Sequence, residues 1–163
     1  MKELMVNFFH NYADIIVFAH ILSAVIWIGG MVAIRFAVHY AIQELEQPQI
    51  KLGVTLNLLK RFFFIVNFTI LILIITAGLM AIGLGFKGTP LYDIVHIKEG
   101  LWTVMLIIFI FINMKRAKAQ KYFDDLDFKN TKETLVPLAK WMIPLNIFLG
   151  LIAIYLGVTL RGF

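Results

Sequence analysis

Cysteine is absent from this 163-residue chain. Its absence excludes disulfide bonds, covalent attachment of a c-type haem, cysteine-held iron–sulfur clusters and every thiolate metal site. Coordination of a metal by side chains is therefore left to histidine, methionine and the carboxylates. The chain has four histidines and seven methionines for that purpose.

Charged residues are also scarce. They make up 15% of the chain, whereas hydrophobic residues make up 61%, and the mean hydropathy is +0.87. Soluble domains are about 45–50% apolar, and a domain of this length has too little interior to bury the excess. The runs 13–38, 62–85, 92–114 and 141–160 are each long enough to cross a bilayer, which takes about 20 apolar residues per helix.

These runs predict a single domain, residues 1–163, with an all-α fold. We expect an integral membrane bundle of four antiparallel helices. The first run is longer than the apolar core of a signal peptide, and no small-residue cleavage pattern interrupts it. We therefore expect it to be a membrane span and not a cleaved leader.

Positive charge is concentrated on one side of the predicted bundle. The connections 40–61 and 115–140, with their flanks, contain Arg35, Lys51, Lys60, Arg61, Lys115, Arg116, Lys118, Lys121, Lys129, Lys132 and Lys140. The opposite side has only Lys2, Lys87, Lys98 and Arg161. The positive-inside rule then predicts a bacterial inner-membrane protein with both connections in the cytoplasm and both termini outside. Anionic inner-leaflet lipid accounts for the net charge of +5, so no nucleic-acid partner is expected.

Two histidines fall at matching depth within the predicted spans. The first span centres near Ile26, so His20 lies roughly 9 Å toward the outer side at 1.5 Å per residue. The third span centres near Thr103, and the same rise places His96 roughly 10 Å toward the outer side. The two spans run in the same direction, so both imidazoles are expected at one level of the bundle.

Two imidazoles facing each other in an apolar bundle are the axial ligands that a haem b requires. We therefore predict a non-covalent haem b whose iron is bound by His20 and His96. The other residues predicted to contact the haem are Ser23, Ala24, Trp27, Lys98 and Gly100. The small residues would admit a flat ring, Trp27 would wall one edge, and the propionates would meet Lys98, Lys87 or Arg161.

The other two histidines are weaker candidates. His39 lies about 28 Å from His20 along a helix, so it cannot share the site. It is expected at the cytoplasmic interface. His10 is a spare ligand on the outer side, provided that the amino-terminal segment folds back over the bundle.

Lys98 is two residues from His96 and therefore about 200° away around the helix. The two side chains cannot both point at one iron. Lys98 either reaches to the outer surface or faces the bundle, where it would meet a carboxylate such as Glu99 or Asp14, or a haem propionate. The second arrangement is favoured.

Three alternatives to a haem site remain open. An intramembrane histidine can simply form a hydrogen bond with a neighbouring helix. Met80 lies in the outer half of the second span, and histidine with methionine suits Cu(I), so a copper-handling transporter is a second candidate. A small membrane subunit that scaffolds a larger complex without a cofactor is the third.

A family resemblance bears on this choice. The residues of the first span that carry it are His20, Trp27, Gly30, Arg35 and His39. This pattern resembles the first helix of the HemJ-type protoporphyrinogen oxidases and of the related CopD copper-resistance family. The segment of Lys98 and Trp102 resembles their third helix, and the tail NIFLGLIAIYLGVTLRGF is similar to CopD-like proteins. The resemblance implies that His20 binds haem b. The family's LPR element is replaced here by AIR, and its downstream histidine is offset from His39.

These observations predict a membrane b-type haem protein with an electron-transfer or oxidoreductase role. A porphyrinogen or a quinone is the candidate substrate. Membrane lipid is the expected surrounding, and a redox partner protein or a second copy of the chain is a candidate protein partner. No catalytic residue is assigned.

Overall fold

A computed structural model describes residues 2–160. Within that range the chain is helical and has no strand. Four helices are long and apolar enough to cross a membrane: α1 (Glu3–Gln43), α2 (Pro48–Gly83), α3 (Tyr92–Asp124) and α4 (Phe128–Thr159). The predicted all-α fold with four such helices is confirmed. All four helices extend beyond the predicted spans at the end that carries most of the basic residues.

The helix ends follow from local sequence. Pro48 begins α2, where a missing backbone N–H costs nothing because the first turn has no acceptor for it. The connection between α2 and α3 turns through Gly85 and Gly88, whose φ angles are 61° and 85°. Asp127 precedes α4, and its carboxylate accepts the backbone N–H of Asn130 at 3.0 Å. This bond and a second from the Asn130 side chain hold the pKa of Asp127 below its usual range.

Three π-helical turns interrupt the regular helices. Val25–Gly29 and Ile34–Val38 lie in α1, and Leu138–Met142 lies in α4 directly after Pro137. Each such turn adds a residue to the local repeat and so rotates the part of the helix beyond it. The face that a given residue presents to the bundle therefore cannot be obtained from a uniform period of 3.6.

The helices pack as two pairs. α1 lies along α2, and α3 lies along α4; the pairs meet where α2 contacts α3 and where α1 contacts α4. α1 and α3 are thus diagonal to each other. The centre of the core is a row of edge-to-face rings in which Trp27 contacts Phe109 at 5.7 Å and Phe109 contacts Phe63 at 5.3 Å, measured between ring centroids.

A buried amide also joins helices in this core. Asn146 on α4 is fully buried, and its Nδ2 donates to the carbonyl oxygen of Met105 on α3 at 3.4 Å. Close by along the chain, Gly150 lets the side chains of Ile28 and Met105 approach α4, because a Cβ at that position would overlap Ile28. Asn146 therefore joins α3 to α4, and the Ile28 side chain of α1 packs against α4 at Gly150.

Candidate functional site around His20

His20 is held by a hydroxyl from the neighbouring helix. Its Nδ1 lies 2.9 Å from Oγ1 of Thr76 on α2. Thr76 Oγ1 also lies 2.6 Å from the carbonyl oxygen of Ile72, to which it donates its single proton. The hydroxyl oxygen must therefore accept the N–H of His20 Nδ1. In the neutral ring Nε2 then carries a lone pair, and it has no hydrogen-bond partner within the described chain.

Lys98 faces the bundle from α3. Its Nζ lies 3.0 Å from the position that a Cβ would take at Gly157 on α4. Between residues 2 and 160, no carboxylate lies within 4.0 Å of this ammonium, since the ion pair found there is His96–Glu99. Lys98 thus adopts the inward arrangement that was favoured, without the carboxylate partner that was expected for it.

His96 points away from the bundle. Its side chain is 54% exposed, its Nδ1 lies 3.0 Å from Glu99 Oε2, and its ring packs edge-on against Tyr92 at 4.3 Å between centroids. The structure therefore does not bring His96 to His20. The reason is the angle of about 200° between positions 96 and 98, which lets only one of them face inward, and Lys98 does. The assignment of both histidines to one iron stays a prediction.

The residues predicted to line a haem also divide between inside and outside. Ser23 and Trp27 are buried in the packed core, and Ala24 packs against it. Gly100 is exposed on α3, and a Cβ added there would meet nothing within 4 Å. These residues do not surround one common slot. Of the three cations proposed for propionates, Lys98 faces the bundle, Lys87 is exposed in the turn, and Arg161 lies outside the described residues.

The remaining candidates lie apart from His20. His10 is exposed near the start of α1, and His39 is partly buried near its other end. Met80 is partly buried on α2. In the part of the chain that the structure describes, no group of three or more histidines and carboxylates is close enough to hold a metal ion.

Thr76 is the site residue that sequence analysis did not find. It is one of two buried threonines in the apolar run of α2. The available signal was a polar side chain in the carboxy-terminal half of the second span, at a depth that His20 can reach. A threonine in a helix usually bonds only its own backbone, so the type of residue alone did not single it out.

Comparison with known proteins adds one relative. A protein of Aquifex aeolicus (strain VF5), named only as an uncharacterized protein, is 28% identical over 151 residues, which cover 91% of this chain and 94% of that protein. The similarity therefore extends through all four helices. No family model matches the chain, and no solved structure gives a significant match.

Proposed function

We propose that this chain is a membrane-embedded b-type haem protein in which Nε2 of His20 binds the iron. The observation that carries the proposal is the Thr76–His20 contact. Metal-bound histidines almost always donate their other ring N–H to an acceptor, which sets the tautomer and the ring orientation. Thr76 supplies that acceptor, and the lone pair of Nε2 is left for a metal.

The side chains around His20 support a haem at the outer end of the bundle. Ser23 and Trp27 are packed against neighbours, so the core below His20 has no room for a ring. Lys98 supplies a cation for a propionate at the same end, and no carboxylate of the described residues pairs with it. When bound, a haem supplies one-electron redox chemistry. His20 would hold the iron, Thr76 would orient the imidazole, and Lys98 would neutralise an anionic group of the cofactor or of a substrate.

The proposed setting is the bacterial cell membrane, with both termini outside. The charge asymmetry supports this orientation through the positive-inside rule. The His20 end of the bundle then lies in the outer half of the membrane. An electron-transfer or oxidoreductase role follows, with a quinone or a porphyrinogen as the substrate that reaches the site from the lipid side.

The haem content of the purified protein tests this proposal. The full-length protein, extracted in detergent from haem-replete cells, is expected to show a Soret band and close to one haem b per chain in a pyridine haemochrome assay. His20→Ala should lose the haem. His39→Ala is the matched control, because it removes a histidine from the other end of the same helix, and it should keep the full haem content.

Two results would overturn the proposal. One is a protein that stays colourless even after reconstitution with haemin, with copper found by elemental analysis, which would favour the transporter alternative. The other is an unchanged haem content in His20→Ala. The second axial ligand is decided separately, because His96→Ala or His10→Ala converts a low-spin six-coordinate spectrum to a high-spin one only if that histidine binds the iron.

A further inference from the structure

A second polar site lies at the opposite, basic end of the bundle. It is a groove of about 590 Å³ between α2 and α3. Three cations line it: Lys60 and Arg61 from α2, and Arg116 from α3. No acidic residue lines the groove. For the residues described, none of these three cations has a carboxylate within 4.0 Å, so their charge is available to a ligand.

Amide side chains complete the polar wall of the groove. Asn57 accepts a hydrogen bond from Nε of Arg61 at 3.2 Å, which orients the guanidinium and leaves its terminal N–H groups free. Asn113 donates to the carbonyl oxygen of Phe109 at 3.0 Å, so its Oδ1 remains an acceptor. Asn67 is exposed in the groove wall although α2 is apolar around it. An amide in such surroundings is costly unless a polar group meets it.

The groove also has an apolar side. Phe64 and Ile65 line it and are 65% and 49% exposed. They belong to the predicted second span, which begins at residue 62, so this side of the groove faces lipid. The cations lie at the boundary of that span. A ligand that fits both sides must therefore carry a negative charge next to a hydrocarbon chain.

We propose that this groove binds the phosphate headgroup of an anionic phospholipid, with an acyl chain lying against Phe64 and Ile65. Guanidinium groups pair with phosphate through two parallel hydrogen bonds, which explains the use of Arg61 and Arg116. Basic pockets between membrane helices on the cytoplasmic side are known to hold such headgroups. The groove lies at the end of the bundle away from His20, so the two sites are independent.

Native mass spectrometry of the full-length protein tests the lipid site. The protein is released from detergent micelles that contain equal amounts of phosphatidylglycerol and phosphatidylcholine with identical acyl chains. Wild-type protein should retain phosphatidylglycerol preferentially. The triple variant Lys60→Gln/Arg61→Gln/Arg116→Gln should bind it roughly 100-fold more weakly, since three cations that each contribute about 1 kcal/mol together contribute about 3 kcal/mol.

The matched control is Lys118→Gln/Lys121→Gln/Lys132→Gln, which removes three positive charges from the same end of the bundle outside the groove. It should bind phosphatidylglycerol as wild type does. If both triple variants lose the lipid equally, the attraction is bulk charge and the proposal is wrong.

A second variant separates groove geometry from charge. Asn67→Leu keeps every cation and should still weaken phosphatidylglycerol binding several-fold. It tests the groove even if the triple variant fails to fold. Equal retention of the two lipids by wild type would contradict the proposal. Displacement of phosphatidylglycerol by millimolar inorganic phosphate would contradict it too, because the groove would then be a site for a soluble anion.

Discussion

At the residue scale, one hydroxyl group determines how His20 can act. Thr76 gives its proton to its own helix, so it can only accept from the imidazole. The hydroxyl therefore selects the tautomer with a free Nε2 lone pair. The same side chain also anchors α1 to α2, because the bond joins residues 56 positions apart. A substitution at Thr76 should therefore change the orientation and tautomer of the His20 ring and leave Nε2 itself in place.

Thr76→Val tests this role of the hydroxyl. Valine has nearly the same shape but cannot accept the Nδ1–H, so the imidazole loses its orientation. We expect haem affinity to fall by about 10–100-fold, as for other partners of metal-bound histidines. Thr69→Val is the control, because Thr69 is also buried on α2 but donates only to the carbonyl oxygen of Val66 at 2.8 Å. Haem titration of apoprotein gives both affinities, and equal losses would contradict a specific role for Thr76.

Lys98 presents a charge to the interior that no carboxylate of residues 2–160 meets within 4.0 Å, and a charge buried in a membrane bundle is retained for function at a cost in stability. Lys98→Met should therefore raise the free energy of unfolding of the detergent-solubilised apoprotein by on the order of 1 kcal/mol or more. The same change should lower haem binding or substrate turnover. Size-exclusion-based thermal unfolding and a haem titration give the two values. A variant that is less stable and still binds haem normally would show that Lys98 is structural.

At the element scale, small residues set how closely the helices approach. Gly150 on α4 is buried against Ile28 on α1 and Met105 on α3, where a Cβ would overlap the Ile28 side chain. Gly78 on α2 has nothing within 4 Å of the same added atom. Both glycines lie inside apolar helices, and only the first has a partner helix against it.

This difference predicts opposite effects of alanine. Gly150→Ala should destabilise the bundle by about 1–3 kcal/mol through overpacking. Gly78→Ala should be neutral or should stabilise it by about 0.5–1 kcal/mol, because glycine is a poor residue inside a helix. Unfolding of the purified protein in mixed detergent measures both. Adding Ile28→Ala to Gly150→Ala should recover part of the loss, and its failure to do so would indicate a different site of strain.

At the scale of the whole molecule, the two ends of the bundle differ in charge and in chemistry. One end carries most of the lysines and arginines, including the groove between α2 and α3. The other end carries His20 and the inward-facing Lys98. The positive-inside rule predicts that the first end lies in the cytoplasm, where anionic lipid is available, and that the second lies on the outer side.

Cysteine labelling tests this orientation without background, because the chain has no cysteine of its own. Lys87→Cys, in the exposed turn between α2 and α3, should react with a membrane-impermeant maleimide in intact cells. Lys121→Cys, which is exposed near the end of α3, should react only after the inner face is opened. The reverse pattern would invert the bundle and place the lipid groove in the outer leaflet.

Much of the architecture could be predicted because hydropathy is a local and additive property. Four long apolar runs determine four helices, and the depth of His20 follows from its distance to the centre of its run. Hydropathy does not predict which residues of a helix face the bundle, because that depends on the rotation of the helix about its own axis. Three π-helical turns change that rotation in α1 and α4.

The sequence by itself thus determined the class, the number of helices and the level of His20 in the bundle. Only the tertiary structure decided between His96 and Lys98, because either side of α3 could have been turned toward α4. Lys98 lies inward against Gly157, and His96 pairs with Glu99 on the surface. The hydrogen bond between His20 and Thr76 could not be predicted from the sequence either. A contact between residues 56 positions apart depends on how α1 and α2 align, and not on the residues next to His20 or Thr76 in the chain.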